Sequence, residues 1–202
     1  PGSIEDIPNL MRPKSVGGLL ESSGMVEVIS SLTENGDEIQ NDIRQGVWIT
    51  IEAGNHYVQN CFEEYKVETD NTGRFVCLFK KWHLIGLELG LSVASVGIRG
   101  EPTGCTTYFN ADVIAIAKAN LKPGCLLDGE GGYTVYGGLR PTKISMDNNY
   151  LPLGLANQAT LLAPVKKDQP VRFDDVKLNT ESCAYKLRQE IAESIKQKHN
   201  AP

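Results

Sequence analysis

The chain has 202 residues, 20 of them Lys or Arg and 25 Asp or Glu, for a formal charge of -5. That length buries one large domain or two small ones, and the acidic balance argues against a nucleic-acid-binding face. No apolar run reaches the roughly 18 residues of a membrane span without a charge, so the reading is a soluble protein with neither nucleic acid nor membrane among its partners.

The opening residues lack the basic start and apolar stretch of a signal peptide. Pro1-Gly2-Ser3 resembles the scar of a cleaved affinity tag (1–3), which points to a natural start at Ile4 and an excised fragment. From Ile4 to Gly24, Pro8, Pro13 and Gly17-Gly18 predict an irregular segment. Met25 to Leu32 and Gly46 to Glu52 alternate as strands. With Asn35-Gly36 as the turn signal between them, they predict a loose hairpin with a long connection.

His56 to Tyr65 places Tyr57, Val58, Cys61, Phe62 and Tyr65 at helical spacing and predicts an amphipathic helix. Asp70 to Gly73 is a turn, and the near-continuous apolarity of Arg74 to Phe79 predicts a third, central strand. His83 to Ile98, HLIGLELGLSVASVGI, is apolar almost all round. Gly86, Gly90, Ala94 and Gly97 would let that helix approach another backbone closely, at a cost of about 1 kcal/mol per interior glycine. A buried helix is expected. Residues 4–104 thus read as an α+β segment, two helices packed on an antiparallel sheet.

Gly100 to Gly104 breaks the pattern and marks a boundary. The next part, 105–178, is β-rich, with its module at about Asp112 to Leu178. Its centre is a glycine-crowded stretch, Leu127 to Pro141, LDGEGGYTVYGGLRP, read as a long loop. Two similar apolar patterns flank it. When Lys122-Pro123-Gly124 is laid on Lys166-Lys167-Asp168, Ala119 falls on Ala163, Leu121 on Val165 and Leu127 on Val171. This is a weak repeat of strand, tight turn, strand. Residues 179–202 form a helical extension in which Glu181 to Lys198 is amphipathic. That helix is either solvated or lays a thin stripe on the body or on a partner chain.

No motif proves a reaction. The glycines after Gly129 do not follow GxGxxG, and no GK[ST] occurs, so neither a dinucleotide fingerprint nor a phosphate loop is present. Cys61, Cys77, Cys105, Cys125 and Cys183 form an odd set without metal-ligand spacing. Free thiols in a reducing cytoplasm are expected, and no metal.

The most suggestive cluster is Lys80-Lys81-Trp82-His83, where a strand end feeding a helix concentrates cations and backbone N–H donors suited to a phosphate or carboxylate. His83 either belongs to that site or caps the helix, and the lysines are either ligands or a solvated strand end. Glu88, inside an apolar helix, must be paired or have a raised pKa. It serves either as an acid-base group or in an ion pair, with Arg99 a candidate partner. Glu130, Tyr133, Tyr136 and Arg140 line a polar groove or make interdomain contacts.

The repeat resembles the SAF domain, a β-clip module of antifreeze-like proteins, sialic acid synthases and sugar-acid hydratases. More specifically, LDGEGGYTVYGG with the upstream HLIGLELGLSVASVGIRGEPTG resembles homoserine-dehydrogenase-like oxidoreductases that carry a C-terminal SAF domain. That group includes the deoxyxylulose-phosphate-reductoisomerase-like enzymes of isoprenoid synthesis. The resemblance covers about Gly17 to Leu178.

It implies an α+β catalytic-region segment followed by a SAF-like β-clip and a C-terminal helix. It also implies NAD(P) bound by an upstream dinucleotide-binding domain of the same protein and not by this chain. The implied substrate is a small anionic or polyhydroxylated molecule (a polyol, sugar acid or sugar phosphate), and the implied assembly a homo-oligomer. His83 and Glu88 become the catalytic candidates, and Lys80, Lys81, Glu130, Tyr133 and Arg140 the substrate-binding ones. Related enzymes carry Lys-Pro-Tyr-His before the matching helix. Lys80 and His83 keep that pattern, whereas Lys81 and Trp82 depart from it, and an indole cannot replace a hydroxyl acceptor. The competing reading is a non-enzymatic SAF-type carbohydrate-binding or assembly module.

Overall fold

The structure is a computed structural model that describes residues 5–33, 35–40, 42, 46–82, 84–105 and 107–199. Pro1-Gly2-Ser3 and His83, both singled out in the sequence, lie outside the described residues. The fold is mixed α+β, with small antiparallel sheets and a C-terminal helix. The chain divides into two compact units, 1–108 and 109–202.

In unit 1 the opening segment is more regular than its prolines and glycines predict. It forms α1 (Ile7–Leu10), with Pro8 in the first turn, where its missing N–H costs nothing, and a 3-10 turn at Lys14–Val16. Strand β1 (Val47–Glu52) pairs antiparallel with β2 (Phe75–Lys80), Val47 opposite Lys80 and Glu52 opposite Phe75. On its other side β2 bridges to Thr69, and its first half, Phe75 to Cys77, is buried. The sheet has two strands, so the apolar run reports the burial of this half and not the central position it predicts.

The expected hairpin between Met25–Leu32 and β1 does not form. Met25 to Ser30 has no strand, and Val26 and Val28 are exposed, because alternation makes a strand only where a neighbour completes the ladder. The Asn35-Gly36 turn does occur, with Gly36 at φ 88° and a single Leu32–Glu38 bridge across it.

Helix α2 (His56–Glu64) begins where read, because the Asn55 side chain accepts the Val58 N–H at 3.0 Å. Val58, Cys61 and Phe62 turn inward, and Tyr57 and Tyr65 stay exposed. Helix α3 (Ile85–Ala94) runs into a π turn at Ser95–Arg99. The expectation of a buried helix fails here: Leu87, Leu91 and Ile98 are 75%, 72% and 84% exposed. Helical propensity forms the helix, but no described element covers it, and the packing on β2 comes instead from α1.

In unit 2, β3 (Ala111–Ala117) pairs antiparallel with β4 (Val135–Pro141), Ala111 opposite Pro141 and Ala117 opposite Val135. Part of the stretch read as a glycine loop is therefore strand. Gly137 and Gly138 sit in β4 because a Cβ at either would lie 2.8 Å from Val113 Cγ1 or 2.2 Å from Ile116 Cδ1. Helix α4 (Thr142–Asp147) follows, then the short pair β5 (Thr160–Leu161) and β6 (Val176–Lys177), and α5 (Cys183–His199). The core gathers Ala115, Leu127, Val135, Leu151, Leu161, Val165 and Val171.

The repeat read in the sequence is a two-fold in the backbone hydrogen bonds. Leu121 and Val165 exchange N–H···O bonds at 2.8 and 3.1 Å. Gly124 N–H bonds to Leu161 O at 2.7 Å, and Asp168 N–H to Ala117 O at 2.8 Å. Leu127 N–H reaches Ala159 O as Val171 N–H reaches Ala115 O, at 2.8 and 2.9 Å. Gly124 and Asp168 both adopt positive φ, 84° and 62°, and Leu127 and Val171 are both fully buried. The turn geometry is thus the same in both halves, although only one of them has glycine there.

Helix α5 lays one stripe on this unit. Tyr185 meets Phe173 edge-on at 6.5 Å, and Arg188 reaches Asp112, while Leu187 and Ile191 face outward.

Candidate functional site

In unit 1 the cluster at the end of β2 is held from both sides. Trp48 stacks on Phe79 with ring centroids 3.8 Å apart, which fixes the strand end just before Lys80. Lys80 Nζ forms an ion pair with Glu88 in the first turn of α3. Lys81 Nζ lies 5.2 Å from the Trp82 ring centroid, a cation–π contact. Glu88 is therefore paired as expected, although its helix is exposed, and its partner is Lys80. Arg99, the partner expected for it, turns instead to Ser95 Oγ at 3.2 Å and to Glu101 at 3.9 Å.

The structure thus joins two sequence candidates, Lys80 and Glu88, with Lys81 and Trp82 in the next positions of the chain. An ammonium beside a carboxylate can bind an anionic or hydroxyl group and exchange a proton with it. Both partners are partly exposed, so the pair contributes at most about 1 kcal/mol to stability.

The other candidates lie in unit 2. Asp128 accepts from Tyr133 N–H at 2.5 Å, from Thr134 N–H at 3.0 Å and from the Thr134 hydroxyl. Its own N–H donates to Thr134 Oγ1 at 3.1 Å. Gly129 and Gly131 take φ of 73° and 76° inside the closed loop, which glycine adopts without strain. Glu130 and Tyr133 stand exposed on it, Tyr133 by 92%.

The Thr134 hydroxyl and then the Tyr133 and Thr134 N–H groups hold the Asp128 carboxyl down to about 2. Since this pKa lies below the ordinary value of 3.8, the loop gains its stabilisation above about pH 4 and loses it as pH falls toward 2. Amide exchange of Tyr133 and Thr134, at pH 6 and in Asp128→Ala, is the check: the variant should exchange faster at these two amides and little elsewhere.

Tyr136 and Arg140 share one face of β4. The Tyr136 hydroxyl donates to Asp168 at 3.4 Å, and its pKa is raised by burial and by the Asp168 charge. Arg140 donates to Leu139 O at 2.7 Å. Arg140 thus joins Tyr136 on the strand, at the end of β4 away from the loop that carries Glu130 and Tyr133.

Sequence reasoning missed the buried ionic groups. Asp70, 4% exposed, bonds to Arg12 at 2.5 Å across 58 positions of sequence. Asp112 bonds to Arg188 at 2.6 Å across 76 positions. Nothing local signals a partner so far along the chain. Asp128 was findable, because an aspartate ahead of a glycine-rich turn accepts nearby N–H groups.

The candidates in unit 1 lie inside a recognisable stretch. Residues 1–89 match the family model of Oxidoreductase DRL, catalytic domain. The match supports an oxidoreductase-related domain in the N-terminal part. Lys80, Lys81 and Glu88 fall within the DRL match, close to its end, and all of unit 2 falls outside it. No curated protein matches the chain.

Proposed function

We propose that the chain is the C-terminal part of an NAD(P)-dependent oxidoreductase acting on a small polyol, sugar acid or sugar phosphate. The DRL catalytic-domain match over residues 1–89 carries this reading. Lys80 and Lys81 hold the anionic or hydroxyl groups of the substrate, and His83 and Glu88 handle its proton. Unit 2 is the SAF-like β-clip, whose two-fold hydrogen bonding supports that assignment, and Glu130, Tyr133 and Arg140 serve the substrate from it. The protein works as a homo-oligomer in the cytoplasm.

The residues present do not suit a dinucleotide. The sequence lacks GxGxxG, and the described strand pairs are all antiparallel, whereas a pyrophosphate site needs a strand, a glycine turn and a helix N-terminus in one βαβ unit. The dinucleotide-binding domain belongs to other residues of the same protein. A second reading, a carbohydrate-binding or assembly module without catalysis, draws support from Tyr133, an exposed aromatic ring on a fixed loop.

Two measurements separate these readings. Titration calorimetry of the 202-residue chain with NADPH and NADP should give no binding; micromolar affinity, about -8 kcal/mol, would place a cofactor site within it. In the protein from the complete coding sequence, assayed by NADPH oxidation with sugar phosphates and sugar acids, Lys80→Ala should lower kcat/KM about 10- to 100-fold. That is the loss of one charge-assisted hydrogen bond of about 1.5–3 kcal/mol, and the circular dichroism spectrum should not change. Turnover absent with every substrate would favour the binding module.

A further inference from the structure

Helix α3 meets its own unit through a polar strip. Glu88, Ser92 and Ser95 lie on one side of a helix of 3.6 residues per turn. There Glu88 pairs with Lys80, the Ser92 hydroxyl lies 3.1 Å from the Thr103 hydroxyl, and the Ser95 hydroxyl donates to Glu101 O at 2.8 Å. Ser95 is buried, Glu88 and Ser92 are half-buried, and every other position of α3 is exposed.

The outward side is a groove between two ridges. Gly86, Gly90 and Ala94, four residues apart, form a floor that points away from the polar strip. Ile85, Leu89 and Val93 run along one flank of it, and Leu87 and Leu91 along the other. A Cβ at Gly86 or Gly90 would meet nothing within 4 Å, and neither residue has positive φ. Glycine weakens a helix relative to alanine, so these two need a reason outside their own unit, and a second backbone lying in the floor supplies one.

The ridge side chains, with Leu84, Val96 and Ile98 at the helix ends, are 52% to 84% exposed. At about 60–120 Å² for each such side chain, the eight expose roughly 300–600 Å², already as large as the largest apolar patch of a typical monomer. A two-fold contact doubles this to roughly 600–1,200 Å², against the about 1,000 Å² that a specific interface needs. Glu88, the one ionisable residue of α3, belongs to the inward strip. Two copies of the outward face therefore meet without like charges opposed, and a charged partner would find nothing on it to pair with.

We propose that α3 is the interface between two copies of this chain, joined about a two-fold axis with the Gly86–Gly90 floor of one copy against that of the other. A two-fold contact uses the same patch on both copies, which an uncharged groove with paired ridges allows. The proposal deepens the homo-oligomer of the proposed function by giving it a surface, and it does not depend on the reaction.

Sedimentation equilibrium of the 202-residue chain should show a dimer with a micromolar or tighter Kd. Gly90→Leu fits the open space of a single copy and favours the helix, so its circular dichroism spectrum should not change. By filling the floor it should raise Kd about 10-fold or more, and Gly86→Leu, equally unobstructed, should do the same. A dimer whose Kd neither variant moves would overturn the α3 interface and leave the homo-oligomer standing. A monomer throughout would overturn both. In the protein from the complete coding sequence, α3 amides protected from exchange in a monomer would give this face to the dinucleotide-binding domain, and that result too would overturn the proposal.

Discussion

Replacing Asp70 by Ala should destabilise unit 1 by about 3–5 kcal/mol, the range for breaking one side of a buried ion pair. The carboxylate holds four groups at once. Arg12 Nη1 is 2.5 Å from one oxygen, the Arg74 and Phe75 N–H groups are each 3.0 Å from the other, and the Thr72 hydroxyl is within 2.9 Å of both. Removing it strands a guanidinium whose side chain is 14% exposed and whose Nε already lacks a partner. Asp70→Asn keeps the shape and loses the charge, so its cost should be smaller.

The pH dependence has a definite sign. Burial raises the Asp70 pKa, but the Phe75 N–H, the Thr72 hydroxyl and the Arg74 N–H together outweigh it, and the net shift is downward. A depressed carboxyl stabilises above its unfolded value near 4 and loses that contribution as pH falls through the folded value. Urea unfolding of the wild type and Asp70→Asn should therefore converge below about pH 4. Parallel curves down to the acid limit would show that the charge carries no stability.

How much of unit 1 could be read from sequence follows from how local each signal is. Helix α2 was legible because its inward stripe lies within one short stretch, and its cap, Asn55, adjoins it. Strand β2 was legible because Phe75, Val76 and Cys77 are buried together, which leaves a continuous apolar run. Met25 to Ser30 has the same alternation as β1 but no ladder partner among the described residues, and nothing in that stretch reveals whether a partner exists. For α3 the periodicity gave the helix and missed its surroundings. A helix that is apolar all round reports what it can bury, not whether a neighbour is present.

The site divides along the same line. A partner for Glu88 was expected from a burial that α3 does not have, and choosing Lys80 over Arg99 required knowing that β2 ends beside the first turn of α3. In unit 2 the repeat was legible because both halves use the same backbone, down to the left-handed residue at Gly124 and Asp168. The strand at Gly137-Gly138 was hidden for the opposite reason. Glycine usually signals a turn, and here it signals the close approach of Val113 and Ile116.

Replacing Arg188 by Ala should loosen α5 from unit 2 at a cost of about 3–5 kcal/mol. Arg188 carries an ion pair from the helix to the body: its Nη2 lies 2.6 Å from Asp112 Oδ2, and its guanidinium carbon is 4.8 Å from the Phe109 ring centroid. Asp112, 7% exposed, also accepts from the fully buried Ser145 hydroxyl at 2.6 Å. Without Arg188 the carboxylate keeps the neutral Ser145 donor and loses its paired charge, a state the interior penalises more than loss of the whole pair. The double variant Asp112→Asn with Arg188→Leu, which removes both charges and keeps the stem's apolar contact, should regain part of the loss. Denaturant unfolding followed by far-ultraviolet circular dichroism measures the cost, and amide exchange in α5 locates it. A single variant no less stable than the double one would mean that α5 is held by the Tyr185–Phe173 contact and not by the buried charge.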